Sequence, residues 1–147
     1  ILENAVKAMR NLGYENPKIA VLTAVENVNP KMQETVDAAE LKKLAESGAF
    51  GECTIEGPIS TDLAFDKEAG QIKGFTSSVC GDPDILLMPN VLAGNIAVKL
   101  LKVFGASKSA GIVLGAQVPI VLTSRSSSVE SKNISIALGA AMSAVRR

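Results

Sequence analysis

The chain has 147 residues, 47% of them hydrophobic and 20% charged, so it can bury the core of one domain of ordinary size. Its 15 basic and 15 acidic residues give a formal net charge of zero, which argues against nucleic-acid and membrane partners because both normally require a basic surface. The sequence shows no signal peptide and no apolar run near the roughly 20 residues that span a bilayer, so we expect a cytoplasmic protein.

Helices and strands alternate along the chain, as judged from hydrophobic periodicity and from glycine and proline stops. The predicted helices cover residues 2–12, 35–47, 60–69, 92–104 and 128–145. The predicted strands cover residues 18–25, 53–56, 84–88, 110–114 and 120–123. This alternation indicates an α/β fold with three αβα layers and a mostly parallel sheet. The link at 115–119 is too short for a helical crossover, so the last two strands are either antiparallel or mark a crossing between domains.

The sequence contains two cysteines and no histidine. The lack of histidine excludes a Ser-His-Asp triad, a Cys-His pair and any histidine-based metal site in this chain. Cys53 and Cys80 are far apart in the sequence, and we interpret both as buried free thiols. Chemistry must therefore use hydroxyls, carboxylates, lysine, arginine and backbone N–H groups, and we predict no metal site.

The strand-to-helix junction at 119–132, PIVLTSRSSSVESK, holds the densest set of candidate binding residues. Ligands of open α/β sheets gather at the carboxyl ends of strands, and a helix N-terminus offers unpaired N–H groups and partial positive charge. Arg125 adds a planar fork that can hold two phosphate oxygens, and Ser124 and Ser126 add hydroxyl donors. We predict that this turn binds phosphate or a similar anion.

Helix capping is the alternative interpretation of the same turn. Ser127 and Glu130 have the spacing of a capping box, which accounts for both residues without a ligand. Capping does not account for Arg125, whose charge would lie against the positive end of a helix. A bound anion would remove that repulsion.

Other strand-to-helix junctions supply further candidates. Asn95 lies in the first turns of a helix, where asparagine is a poor helix former, so it either faces a ligand or bonds to its local backbone. Asp62 is either a ligand-binding acid or a helix cap. Lys31 is either a cation near a strand end or a solvated surface side chain. Neither a P-loop motif nor a glycine-rich dinucleotide turn is present in the sequence.

Five segments together resemble the phosphate acetyl/butyryl transferase family, and its butyryl branch more than its acetyl branch. They are AVLTAVENVNPKM (20–32), EGPISTDLAFD (56–66), GDPDILLMPNVLAGN (81–95), GIVLGAQVPIVLTSRS (111–126) and ESKNISIALGAA (130–141). Members of that family are considerably longer, and Ile1 is not an initiator residue. We therefore expect this chain to be the C-terminal half of a longer protein.

The resemblance implies a fold like that of isocitrate and isopropylmalate dehydrogenases, with two α/β domains around an active-site cleft. Residues 1–117 would form most of the second, inserted domain, and residues 118–147 would carry the return strand and helix of the first. The resemblance also implies that the protein is an acyltransferase, which moves a butyryl or acetyl group between coenzyme A and inorganic phosphate. Coenzyme A would be a substrate, no cofactor is expected, and a homodimer or higher oligomer is implied.

The resemblance places a catalytic pair on Ser124 and Arg125. Arg125 would neutralise phosphate, and Ser124 would hydrogen-bond the oxyanion that develops at the acyl carbon. The acetyl branch has an aspartate a few residues later that is proposed as the base for the CoA thiol. Ser131 occupies that position here and Glu130 is a weak substitute, so the base stays open. We assign four further residues to substrate binding, namely Asn95, Asp62, Lys31 and Ser126.

Two other functions stay open from the sequence. A decarboxylating dehydrogenase of the same fold would need an acidic cluster for a divalent metal, and Asp62, Asp82 and Asp84 do not form a convincing one. A non-catalytic fragment would only bind phosphate or form a dimer. We expect the isolated chain to be nearly inactive, because the opposite wall of the cleft would lie in the missing half.

Overall fold

The computed structural model describes residues 1–105 and 107–144. Its elements in chain order are α1 (Leu2–Asn11), β1 (Lys18–Leu22), α2 (Gln33–Glu46), β2 (Thr54–Ile59), α3 (Thr61–Phe65), α4 (Lys67–Lys73), β3 (Ile85–Leu87), α5 (Val91–Phe104), β4 (Ile112–Val113), β5 (Ile120–Val121) and α6 (Val129–Ala144). They divide into two compact units, one of residue 2 and residues 15–94, the other of residues 1, 3–14 and 95 onward. The predicted end of the last helix at residue 145 lies outside the described residues.

β1 is the central strand of a three-stranded parallel sheet with the order β2-β1-β3. Ile19 on β1 lies opposite Ile55 on β2 and opposite Ile85 on β3. All residues of β1 after Lys18 are buried, as expected of a strand with a neighbour on each side and helices over its faces. The predicted α/β class with a parallel sheet is therefore confirmed.

The core of this unit lies between the sheet and helices α3 and α4. Its buried members are Ala20, Leu22, Ile59, Leu63, Ala64 and Val79. Cys80 is buried beside them and donates a hydrogen bond to the Leu63 carbonyl oxygen at 2.9 Å. The prediction of a buried free thiol is confirmed for Cys80, whereas Cys53 is only partly buried and forms no disulfide within the described residues.

Helix α2 packs against β2 through small side chains. Thr35 and Ala38 are its buried residues, and a Cβ on Gly57 of β2 would lie 3.3 Å from the Ala38 Cβ. Leu44, which the hydrophobic pattern directs inward, is 43% exposed. It lies six residues after Ala38, which places it about 120° around the helix from that buried residue.

Several predicted elements of this unit have different bounds in the structure. β1 ends at Leu22 and not at residue 25. β2 does not end at residue 56 but continues to Ile59, through a cis peptide bond between Gly57 and Pro58. The helix predicted over 60–69 is instead two helices, α3 and α4, which are separated at Asp66. Asp66 has extended backbone angles, and its side chain accepts a hydrogen bond from the Glu68 N–H at 2.8 Å. That local bond caps α4, because aspartate favours helix starts over helix interiors.

The other unit contains α1, β4, β5 and α6. β4 and β5 form a two-stranded antiparallel sheet in which Ile112 pairs with Val121, so the antiparallel alternative is correct. The Ser135 hydroxyl on α6 accepts a hydrogen bond from the Gly111 N–H at 2.9 Å and donates one to the Ser131 carbonyl oxygen at 2.6 Å. These bonds hold α6 against the start of β4.

Many large apolar side chains of the described residues are exposed. Helix α5 has no buried residue. Its exposed large apolar side chains are Val91, Leu92, Ile96, Val98, Leu100, Leu101, Val103 and Phe104. Ile120 and Val121 of β5 are also exposed. Within residues 1–105 and 107–144, no helix is long and apolar enough to cross a membrane.

Gly139 permits the close approach of α6 to β5. A Cβ at this position would lie 2.7 Å from a Val121 methyl carbon, so Gly139→Val should lower the free energy of unfolding by about 1–3 kcal/mol through overpacking. Urea denaturation measures the change. Ala140→Val is the matched control, because Ala140 is exposed on the same helix. Equal stability of the two variants would contradict the close packing of α6 on β5.

Candidate functional site

The turn between β5 and α6 holds three of the predicted site residues, Ser124, Arg125 and Ser126, all of which are exposed. The Ser127 N–H donates to the Ser124 carbonyl oxygen at 3.0 Å and closes the turn. The hydroxyl oxygens of Ser124 and Ser126 lie 3.1 Å apart. The turn therefore presents two hydroxyls side by side, immediately before the N-terminus of α6.

Ser128, not Ser127, caps α6. Its hydroxyl oxygen accepts a hydrogen bond from the Ser131 N–H at 3.1 Å, and its hydroxyl donates to the Ser131 Oγ at 3.1 Å. Glu130, the other half of the predicted capping box, instead forms an ion pair with Lys108 at 2.6 Å. The predicted box is wrong by one residue because α6 begins at Val129, so the spacing of three runs from Ser128 to Ser131.

Arg125 forms no ion pair with any residue in the described ranges. The nearest acid in the sequence, Glu130, is already paired with Lys108, and that contact raises the pKa of Lys108. The guanidinium is thus an exposed cation before a helix N-terminus, with no carboxylate to compensate it. A helix start that carries an arginine without a carboxylate partner and exposed hydroxyls has the donors and the charge that a phosphate requires.

Asp62, Lys73 and Glu26 form a second polar cluster, at the carboxyl edge of the parallel sheet. The Lys73 Nζ lies 3.0 Å from an Asp62 carboxylate oxygen and 3.5 Å from a Glu26 carboxylate oxygen. Glu26 is in the loop after β1, Asp62 is in the first turn of α3 after β2, and Lys73 ends α4. One lysine therefore joins three separate segments of the chain.

The cluster keeps Asp62 ionised. The pKa of its carboxyl is lowered from 3.8 to about 2, first by the Ser60 side chain and then by Lys73. The Ser60 oxygen is buried and meets no hydrogen-bond partner of suitable geometry among the described residues, so the Lys73 contact is the better defined of the two causes. The same contact raises the pKa of Lys73. Asp62 can therefore act as a carboxylate acceptor at neutral pH.

The lowered pKa of Asp62 fixes the sign of its effect on stability. Because the folded-state pKa lies below the ordinary value of 3.8, the contribution of the carboxylate is complete above about pH 5 and is lost as the pH falls from there through about 2. The difference in the free energy of unfolding between the wild-type chain and Asp62→Asn should therefore shrink as the pH falls through this range. NMR titration of the Asp62 carboxyl should give a midpoint near 2, and a midpoint near 3.8 would contradict the ion pair with Lys73.

Lys31 and Asn95 are exposed, and their side chains have no hydrogen bond or ion pair with the described residues. Lys31 lies after β1, where its N–H donates to the Asn29 side-chain oxygen at 3.0 Å. Asn90, not Asn95, caps α5, because its side-chain oxygen accepts from the Ala93 N–H at 2.9 Å. The local-backbone alternative for Asn95 is therefore wrong, and its amide is free to meet a ligand.

The structure thus brings Ser124, Arg125 and Ser126 together in one turn, and Asn95 belongs to the same unit. Asp62 and Lys31 belong to the other unit, where each lies in a segment that follows a parallel strand. All six candidate residues are exposed polar groups, and the ligand of each is still a prediction.

Sequence reasoning missed Lys73 and Glu26. Lys73 precedes Gly74, which ends α4 with a positive φ of 65°, and a lysine in that place is ordinary because cations favour the C-terminal end of a helix. No spacing in the sequence connects positions 26, 62 and 73. Only the packing of α4 against the sheet brings these three side chains together.

The acids after α4 also have partners. Asp82 forms an ion pair with the Lys18 side chain at 2.8 Å, and Asp84 accepts a hydrogen bond from the Lys18 N–H at 2.8 Å. In the ranges that the structure describes, no group of three or more histidine, cysteine, aspartate or glutamate side chains is arranged to hold a metal ion.

Residues 1–140 match the family model described as phosphate acetyl/butaryl transferase. The phosphate butyryltransferase of Clostridium acetobutylicum is 46% identical over 140 residues, which are 95% of this chain and 46% of that protein. The phosphate acetyltransferase of Thermotoga maritima is 44% identical over 140 residues, which are 95% of this chain and 48% of that protein.

Solved structures show the same likeness. A branched-chain phosphotransacylase from Enterococcus faecalis V583 has 43% identity and a TM-score of 0.86, over 97% of this chain and 51% of that one. A phosphotransacetylase from Streptococcus pyogenes has 24% identity and a TM-score of 0.75, over 99% of this chain and 44% of that one, and this match shows the fold alone. The chain spans about half the length of the relatives that it matches.

Proposed function

This chain belongs to the phosphate acetyl/butaryl transferase family, and from that membership we propose that its protein transfers a short-chain acyl group between coenzyme A and inorganic phosphate. Acyl-CoA and phosphate give acyl phosphate and CoA, so coenzyme A is a substrate and no cofactor takes part. The observation that carries the proposal is the turn before α6, with an exposed Arg125 that lacks a carboxylate partner among the described residues and lies beside two hydroxyls.

The turn supplies what the phosphate half of the reaction needs. Arg125 and the N–H groups at the start of α6 bind the phosphate, and a phosphate oxygen attacks the carbonyl carbon of the thioester. Negative charge then grows on the carbonyl oxygen, which the Ser124 hydroxyl stabilises by donating a hydrogen bond. The intermediate breaks its C–S bond, releasing the acyl phosphate and the thiolate of CoA, which takes up a proton from water.

A dedicated base is absent from this proposal. The Ser131 hydroxyl accepts a hydrogen bond from Ser128 and lies 3.4 Å from the Ser109 hydroxyl. A neutral serine hydroxyl is too weak a base to take the proton of a thiol at neutral pH. Glu130, the other candidate, is held by Lys108 at 2.6 Å. A thiol has a pKa of about 8.5 and needs limited help to ionise, so the reverse reaction can start from free thiolate.

We also infer the two-domain arrangement of isocitrate and isopropylmalate dehydrogenases, with residues 1–117 mostly in the inserted domain and residues 118–147 returning to the first. An isolated two-stranded sheet is marginally stable in water, and β5 and α6 expose Ile120, Val121, Val129 and Ile136. The half of the family fold that this chain lacks would cover them. A homodimer or higher oligomer and a cytoplasmic location stay predictions.

A decarboxylating dehydrogenase has no support from the acidic residues. Asp62 and Asp82 each form an ion pair with a lysine, and Asp84 accepts a backbone hydrogen bond. Activity that depends on Mg²⁺ would revive that alternative. The other alternative is a fragment that binds phosphate without catalysing a reaction. Comparing the activity of this chain with that of a protein of the full length of its relatives tests it.

Arg125→Ala should weaken phosphate binding by the chain. Loss of a charge-assisted hydrogen bond costs about 1.5–3 kcal/mol, which lowers the affinity roughly 10- to 100-fold. Isothermal titration with inorganic phosphate measures this change. Lys132→Ala is the matched control, because Lys132 is an exposed cation on α6 with no ion pair among the described residues. Unchanged affinity in Arg125→Ala, or equal weakening in both variants, would contradict the anion site.

The isolated chain should turn over acyl-CoA and phosphate at a small fraction of the rate of a protein with the full length of its relatives. The reason is that binding and orientation of both substrates require the whole cleft, and misplacement by about 1 Å can cost 100-fold. Release of CoA thiol, followed with a thiol reagent, measures both proteins. Full-length rates from the isolated chain would contradict this prediction.

A further inference from the structure

A small, partly enclosed cavity lies between helix α1 and the loop that joins β4 to β5. It is lined by Asn4, Lys7, Ala8 and Asn11 of α1, by residues 112–119 except 117, and by Met142 of α6. All of these residues belong to the same compact unit. The cavity has a volume of about 120 Å³. Because a cavity of roughly 150 Å³ can hold benzene, this one has room for a ligand of about four to six heavy atoms.

The lining of the cavity contains one cation and no acid. The Lys7 side chain forms no ion pair or hydrogen bond with the described residues. Glu3 lies one turn earlier on α1, but it does not line the cavity and its carboxylate makes no ion pair with Lys7. An uncompensated ammonium group favours an anionic ligand over a neutral or cationic one.

Further hydrogen-bond donors surround the same cavity. Asn4, Lys7 and Asn11 share one face of α1, because residues three and four apart are neighbours on a helix. Neither asparagine side chain forms a hydrogen bond with the described residues. A Cβ on Gly115 would overlap the Asn4 Nδ2, so this amide lies directly on the loop. Two amides and an ammonium group without acceptors in the protein suit the oxygens of an anion.

The buried part of the lining is apolar. Ala8 and Met142 are 9% and 8% exposed, whereas Asn4 and Lys7 are exposed. The donors therefore lie toward the rim of the cavity and the apolar side chains toward its interior. A carboxylate that carries a short alkyl chain matches both parts, because its charged end meets the donors and its chain covers the apolar surface. Inorganic phosphate has no apolar part to cover that surface.

This cavity is separate from the turn that is proposed to bind phosphate. Met142 lies 13 residues after Val129, the first residue of α6, which is roughly 20 Å along the helix at 1.5 Å per residue. Ser124 and Arg125 come before Val129 and do not line the cavity. The two sites are therefore near opposite ends of α6.

We propose that this cavity binds a short-chain carboxylate, with the carboxylate paired to Lys7 and the alkyl chain against Ala8 and Met142. The inference goes beyond the proposed reaction, in which a free carboxylate takes no part. It therefore holds or fails independently of the acyltransferase function.

The test is a titration of the protein with the full length of its relatives, with sodium butyrate as the probe. NMR of nitrogen-labelled asparagine follows the side-chain amides of Asn4 and Asn11, which should both shift in a saturable way. Lys7→Met should lower the affinity roughly 10- to 100-fold, because a charge-assisted hydrogen bond is lost. Lys7→Arg should keep most of the affinity, and Lys7→Gln serves if the methionine variant does not fold.

Arg10→Met is the matched control. Arg10 is an exposed cation on the same helix, and it does not line the cavity. Its replacement should leave the affinity for butyrate unchanged. Equal weakening in Lys7→Met and Arg10→Met would show a general effect of net charge and overturn the site.

Two other probes test the chemistry of the ligand. Butyrate has two more methylene groups than acetate, and each buried methylene strengthens binding roughly fourfold, so butyrate should bind up to about 15-fold more tightly. Butyramide, which is neutral, should bind at least about tenfold more weakly than butyrate.

The proposal is overturned if butyrate causes no saturable shift of the two asparagine amides, which is the result expected of a crevice filled only with water. Equal affinity for acetate and butyrate would also overturn it. If inorganic phosphate shifts the same amides with the affinity of butyrate, the assignment to a carboxylate is wrong. Absence of acyl transfer by the protein would refute the proposed function and leave this binding test intact.

Discussion

The parallel pairing of β1 with β2 and β3 is the constraint on which the polar edge of the residue 15–94 unit depends. Leu22 pairs with Ile59 and Val21 pairs with Leu87, so all three strands end at the same edge. β1 is apolar and buried on both faces, which is typical of a central strand with a parallel neighbour on each side. Loops and helix starts that follow the strands must then share that edge. The meeting of Glu26, Asp62 and Lys73 is a consequence of this pairing.

The turn before α6 and the cluster of Glu26, Asp62 and Lys73 differ in the sign of their net charge. The turn before α6 has an uncompensated arginine because Glu130 pairs with Lys108. The Asp62 cluster has an uncompensated carboxylate because one lysine faces two acids. The charge of the turn is the one that the proposed binding of phosphate requires.

Exposed apolar surface is the other property that connects fold to function. Helix α5 has no buried residue, and β5 belongs to a sheet of two strands. A helix that is apolar around most of its circumference normally lies inside a protein, and relatives are about twice as long as this chain. The proposed cover by the remaining half of the family fold explains the surface, and it also explains why the isolated chain should bind phosphate yet turn over slowly.

The sequence by itself determined the α/β class and the family, because strand alternation and ordered motifs are local properties. It also placed Ser124 and Arg125 in one turn before the last helix, whose binding of an anion stays a prediction. It did not determine which serine caps α6, since a shift of one residue in the helix start moves the cap from Ser127 to Ser128. It could not connect Lys73 to Asp62 or Glu130 to Lys108 either. Those pairs form between segments distant in the chain, so only the tertiary packing of the helices and strands decides them.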